Sequence, residues 1–159
     1  MLRCMNNNYY DLADEDLLEA EDRHNAGRYN KCAHWCQQAG EKYLKYVLVN
    51  KLGITDDAAV ADHNLKRILD RINRDEKILT IPVAALFALT NYYTKARYPG
   101  EGFVEVDRET SSELLEHAKT IKLAVDNYLE SFPIEDELKS LANKYPSKGK
   151  DSAPSNQDK

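Results

Sequence analysis

Residues 27–48 read GRYNKCAHWCQQAGEKYLKYVL. From Tyr29 onward the apolar or small positions are Tyr29, Cys32, Ala33, Cys36, Ala39, Gly40, Tyr43, Leu44, Val47 and Leu48. Steps of three, four and one return these residues to one side of a helix with 3.6 residues per turn. Lys31, His34, Gln38, Glu41 and Lys45 fall on the opposite side, and Trp35, Lys42 and Tyr46 take one flank. The spacing predicts a central helix roughly 30 Å long, enough to cross a small domain. Ala33, Cys36, Ala39 and Gly40 are small, so a neighbouring helix is expected to approach closely there. Glu41 precedes Lys45 by four residues, the favourable order for a side-chain pair, which contributes about 0.2–0.5 kcal/mol on an exposed face.

Upstream, Tyr9, Leu12, Ala13, Asp16, Leu17 and Ala20 form a second helical stripe, with Asp11, Asp14, Glu15 and Asp16 near its positive end. Asn25-Ala26-Gly27 reads as a stop, because Gly and Asn tolerate the left-handed conformation at a helix end. So short a connection predicts a helical hairpin. Residues 1–8 read as a flexible leader.

Downstream, Lys51-Leu52-Gly53 closes the central helix, and residues 54–61 read as a loop with a short turn. Asp62 is the expected N-cap of a helix through Leu65, Ile68, Leu69 and Ile72. Its Lys66, Arg67, Arg71, Arg74 and Lys77 make the most basic window of the chain, interleaved with Asp70, Asp75 and Glu76. That pattern also fits the solvated face of an amphipathic helix. Residues 78–93 are the most hydrophobic stretch, with Pro82 in a first helical turn and apolar residues on most faces. Such a helix is covered on several sides, by the core or by a second subunit. It is expected to end near Arg97-Tyr98-Pro99-Gly100. Thr110 and Glu113 have the spacing of a capping box, opening a helix through Leu114, Leu115, Ala118, Ile121, Val125, Tyr128 and Leu129. Pro133 opens a short terminal helix, and residues 146–159 read as a disordered tail. The expected fold is all-α: an up-and-down antiparallel bundle over residues 9–145, with four long helices and one or two short ones.

Composition narrows the function. Of 159 residues, 31% are charged and 42% hydrophobic, the balance of a soluble globular domain. No apolar run approaches the roughly 20 residues that span a bilayer, and no secretion signal opens the chain, so a cytoplasmic protein without a membrane partner is expected. The net charge of −5 argues against a stand-alone grip on duplex nucleic acid, which needs a basic face. Three cysteines without framework spacing suit a reducing compartment. Cys32 and Cys36, four apart on the apolar side, read as core rather than as a zinc site, which needs two more ligands. No phosphate loop, nucleophile elbow or paired-carboxylate motif is present, so neither a catalytic set, a metal nor a cofactor is expected.

The residues resemble the HEPN domain family. The resemblance is carried in chain order by Asp16-Leu17-Leu18 to Ala20, by Gly27-Arg28-Tyr29 with Cys36-Gln37-Gln38-Ala39-x-Glu41-Lys42-x-Leu44-Lys45, by His63-Asn64-Leu65, and by Tyr92-Tyr93-x-x-x-Arg97-Tyr98-Pro99-Gly100. It covers residues 9–130. It implies a helical bundle that forms homodimers, often encoded beside a minimal nucleotidyltransferase in a toxin–antitoxin pair, and similar to the helical domain of kanamycin-type nucleotidyltransferases. A toxin branch cleaves RNA with an Arg-x(4–6)-His motif. This chain departs from that branch: the first histidine after Arg97 is His117, and Arg28 with His34 has the spacing in a different element.

The expected function is that of a non-catalytic, dimeric HEPN protein binding a nucleotide or nucleotide-like ligand, with an RNase or a purely structural assembly module as alternatives. Arg97 offers a planar fork for phosphate, and Tyr93 or Tyr98 a ring for a base; each also fits a helix-end packing role. His63 suits a phosphate contact or a helix start. Lys42, Lys45 and Gln38 complete the candidate ligand set, although charged stripes are commonly solvated faces. His34 and the two cysteines read as surface and core.

Overall fold

The computed structural model describes residues 8–55, 58–131 and 143. The expected leader (residues 1–7), the terminal helix after Pro133 and the tail fall outside the described residues. One compact unit ends at Tyr128, and a second begins at Leu129. Among the described residues there are four long helices, two short ones and no strand.

Helix α1 spans Tyr9–Asn25 and α2 spans Tyr29–Lys45. Asn8 is the N-cap of α1, its side chain accepting from the Asp11 amide at 2.9 Å. The turn between the helices closes through Gly27, whose φ of +72° is open to glycine at no steric cost. Tyr10 lies edge-on to Tyr43 (5.4 Å between centroids), and the Tyr43 hydroxyl donates to Asp14 at 2.6 Å. The pairing of early α1 with late α2 gives the expected antiparallel hairpin. Beyond Lys45 the helix widens into a π-helical turn over Tyr46–Lys51, and Gly53, at φ +68°, ends it.

Short helices α3 (Ala58–Ala61) and α4 (Leu65–Ile72) follow. The N-cap of α4 is Asn64, which accepts from the Arg67 amide at 3.1 Å. Asp62, expected in that role, instead accepts from the Asn64 amide at 2.9 Å and shapes the approach to the helix. Helix α5 spans Val83–Lys95, with Pro82 one residue before its first turn. Helix α6 spans Arg108–Glu130. It begins earlier than the capping box predicts, because Asp107 accepts from the Thr110 amide at 2.8 Å and does the capping.

Gly40 marks the centre of the bundle. A Cβ placed there would meet Ile121 Cδ1 of α6 at 3.0 Å, and Leu65 Cδ1 of α4 and Leu89 Cδ1 of α5 at 3.5 Å. Four helices therefore converge on one missing side chain, as the small residues of α2 predict. Cys32 and Cys36 are fully buried beside α6, with sulfurs 3.7 Å apart and Cys32 Sγ 4.0 Å from the Ser111 carbonyl. Each large aliphatic side chain buried in this core contributes about 1.5–3 kcal/mol.

The polar side of α2 departs from expectation. Glu41 and Lys45, expected on the solvated side, are buried at 6% and 5% exposure, with Gln37 beside them at 0%. Glu41 accepts from Lys45 Nζ at 2.6 Å and from Gln37 Nε2 at 2.9 Å, and Gln37 also donates to the His63 carbonyl at 3.2 Å. Their mutual hydrogen bonds allow this polar row to leave water.

Candidate functional site

Asn30, at the start of α2, organises one end of the site. Its side-chain amide donates to the carbonyls of Ala96 and Val104, both at 3.0 Å, and its side-chain oxygen accepts from the Val106 amide at 3.0 Å. The amide of Val104 also donates to the Lys95 carbonyl at 2.9 Å. The loop after α5 is thus tied down at both ends, and this places Arg97. Residues 98–103, including Gly100 (φ +139°) and Gly102 (φ +85°), project between those ties.

Arg97 sits within reach of two tyrosine rings. Its Cζ is 5.3 Å from the centroid of Tyr93 and 5.2 Å from that of Tyr98, and Nη1 donates to the Tyr93 hydroxyl at 2.8 Å. Tyr93 in turn stacks near two histidines. His34 of α2 stacks on it at 5.8 Å and 19°, and His63 at 6.2 Å and 27°. Trp35 packs edge-on against His34 at 5.1 Å. Asn30, Lys31, His34, Ala96 and Arg97 line a cavity of about 200 Å³ beside this row of rings.

Of the residues predicted from sequence, Arg97, Tyr98, Tyr93 and His63 come together here. Gln38 and Lys45 stand behind them. Gln38 donates to the Gln37 side chain at 2.7 Å, and the buried Lys45–Glu41 pair supports His63, whose Nδ1 lies 3.2 Å from both Glu41 oxygens. Lys42 turns away to α1, where it pairs with Asp16. Burial pushes the Asp16 carboxyl above the ordinary aspartate range, and the Lys42 ammonium opposes that rise.

His34 is the residue that sequence reasoning set aside. Its place on the polar side of α2 suggested a solvated surface, yet it is half-buried, and its Nδ1 is buried without a hydrogen-bond partner. Burial holds its pKa below the ordinary histidine value, and the positive charge of Arg97 adds to the effect. The ring is therefore neutral near pH 7. The signal available in the sequence was the spacing of Asn30 and His34, one helical turn apart on the face that meets the end of α5. Among the described residues, no group of three or more His, Cys, Asp or Glu side chains could hold a metal ion.

A family model, the HEPN domain, matches residues 7–128. The chain belongs to the HEPN domain family. In structure it is similar to TT1696 from Thermus thermophilus, whose crystal structure superposes with a TM-score of 0.64. That match has 24% sequence identity and covers 76% of this chain and 94% of the other, so it speaks to the fold alone. A search of curated proteins finds no match. No helix among the described residues is long and apolar enough to cross a membrane.

Proposed function

We propose that this HEPN protein is a non-catalytic, dimeric binder of a nucleotide or nucleotide-like ligand. The observation that carries the reading is Arg97, an exposed guanidinium set against Tyr93 and Tyr98 at the edge of the 200 Å³ cavity. A guanidinium supplies parallel donors to phosphate, and an adjacent ring supplies a face for a base. Lys31 adds positive charge, and Asn30 fixes the loop that presents the cation. The dimer is supported by α5, whose Val83 and Phe87 remain 47% and 56% exposed on a helix apolar on most faces. A minimal nucleotidyltransferase as second partner, and a cytoplasmic setting, rest on the family resemblance and on sequence composition.

A second reading is favoured by one specific observation. The histidine missing downstream of Arg97 is supplied from α2, since His34 lines the same cavity as Arg97 and is neutral near pH 7. A neutral imidazole can take the proton of a ribose 2′-hydroxyl beside an arginine that holds the phosphate, with water protonating the 5′-oxygen that leaves. Titration with AMP, ATP, GTP and short RNA, with product analysis of the RNA, separates the two readings. Saturable binding lost in Arg97→Ala, with the RNA intact, supports the binder. RNA cleaved by the native protein and spared by His34→Phe supports the nuclease. No saturable binding by any of these ligands, with the RNA intact, removes both. A monomer by light scattering at micromolar concentration removes the dimer.

A further inference from the structure

Helices α1 and α6 run antiparallel and are tied together by side chains. The Tyr10 hydroxyl donates to Asp126, Lys122 pairs with Asp14 at 3.1 Å, and Lys119 pairs with Glu21 at 3.0 Å. Ala13, Leu17 and Ala20 of α1 and Ala118, Ile121 and Val125 of α6 are buried in the core. Leu18 lies one turn beyond Asp14, and Leu123 one turn beyond Lys119, both on the side of the seam away from that core. They are 61% and 59% exposed. Because Asp14 stands opposite Lys122 and Glu21 opposite Lys119, the two leucines fall within about one helical turn of each other along the seam. A single exposed leucine needs no explanation, whereas two on one seam make an apolar face with nothing on it.

The charge around that face has one sign. Asp11, Glu15, Leu18 and Asp22 follow one another at steps of four, three and four, which sets them in one stripe of α1. Glu15 and Asp22 are exposed, and among the described residues neither is in an ion pair. Lys122 is taken up by Asp14 and Asp126, and Lys119 by Glu21 and Glu116, so the lysines of the seam are already matched. The sequence of α1 holds seven carboxylates against one arginine, Arg23, which itself pairs with Glu19. A second copy of this face, a nucleic acid or an anionic lipid surface would each bring like charge to it.

We infer that the outer face of the α1–α6 seam is a docking surface for a cationic amphipathic helix of a different protein. Two apolar anchors about one turn apart match side chains at i and i+4 of a helix laid along the seam. Lysines or arginines beside that apolar stripe then meet Glu15 and Asp22, which supply the charge complementarity that selects the partner and guides its approach. The leucines supply the buried contact. This surface is separate from the Arg97 cavity and does not depend on what that cavity holds.

The test uses the full chain and a labelled synthetic helix with leucines along one stripe and lysines and alanines elsewhere, followed by fluorescence anisotropy. The comparisons are a peptide of the same composition with scrambled order, and one with glutamate in place of lysine. Two double variants are measured beside the native protein, Leu18→Asn with Leu123→Asn and Glu15→Lys with Asp22→Lys, with circular dichroism confirming the fold. The expected result is saturable binding of the lysine peptide to the native protein, weakened about tenfold in each double variant and for the scrambled peptide. The glutamate peptide should bind the Glu15→Lys, Asp22→Lys protein more tightly than the native one. No saturable binding at peptide concentrations on the order of 1 mM overturns the inference. So does a scrambled peptide that binds as tightly, or affinity that survives loss of both leucines, since either would reduce the attraction to net charge alone.

Discussion

His34 and Tyr93 lie face to face, 5.8 Å apart and 19° from parallel, though 59 positions separate them in the chain. The contact fixes α2 against α5 and brings a neutral histidine to the arginine that follows α5. Its buried Nδ1 has no partner, so protonating the ring adds a charge that burial and Arg97 both oppose.

That opposition predicts an acid-sensitive fold. The folded pKa of His34 lies below its unfolded value of 6.5, so the unfolded chain takes up the proton more readily. The contribution to stability is complete above pH 6.5 and is lost as pH falls through the folded pKa. Thermal unfolding followed between pH 7.5 and 5 should show a steeper fall in Tm for the native protein than for His34→Phe. Equal slopes would remove His34 as the cause.

The Glu41–Lys45 pair predicts a non-additive double mutant. Glu41→Ala strands the Lys45 ammonium at 5% exposure and takes partners from Gln37 and His63. A cost of about 3–5 kcal/mol follows in urea unfolding. Changing both residues, Glu41→Leu with Lys45→Met, should recover most of it, because an apolar pair needs no partner there. A double variant as unstable as Glu41→Ala would show that the pair itself is indispensable.

Asn30→Ala should release the loop after α5. Three hydrogen bonds of 3.0 Å end on this one side chain, and the loss should be roughly 1–3 kcal/mol. The specific readout is hydrogen exchange: the Val106 amide should exchange faster by more than the average core amide. Ligand affinity at Arg97 should fall with it. Unchanged protection at Val106 would contradict the role given to Asn30.

At Gly40, two small effects oppose each other. Alanine is favoured over glycine inside a helix by about 0.5–1 kcal/mol, yet its Cβ would come to 3.0 Å from Ile121 Cδ1. Because the neighbouring atom ends a flexible side chain, Gly40→Ala should change stability by less than about 1 kcal/mol. Gly40→Leu, which must displace Leu65 and Leu89 as well, should cost about 1–3 kcal/mol or more in the same denaturant assay. A neutral Gly40→Leu would mean that the helices do not converge there.

The helices themselves were legible in local spacing. Apolar residues at steps of three and four placed α1, α2 and α6, hydrophobic density behind Pro82 placed α5, and the small residues of α2 announced the close approach at Gly40. Helix starts were less legible, since Asp62 and Asn64, or Asp107 and Thr110, compete within a few positions and only the backbone path decides between them. The site was half visible. Arg97, Tyr93, Tyr98 and His63 stood out through their residue types and the family spelling, and the structure places them together. His34 was hidden because a helical wheel assigns a polar side to water, and it cannot register that α5 and the segment before α4 cover that side. Glu41 and Lys45 were hidden for the same reason, being a solvated pair in isolation and a buried one in the bundle.

The chain contains a single tryptophan, and it is Trp35, whose ring meets the edge of His34 at 5.1 Å. The protein therefore carries its own optical gauge. An imidazolium quenches indole emission more strongly than a neutral imidazole, so the fluorescence of Trp35 tracks both the proton on His34 and any occupant of the cavity that His34 lines. No label or second chromophore is needed to watch the site fill.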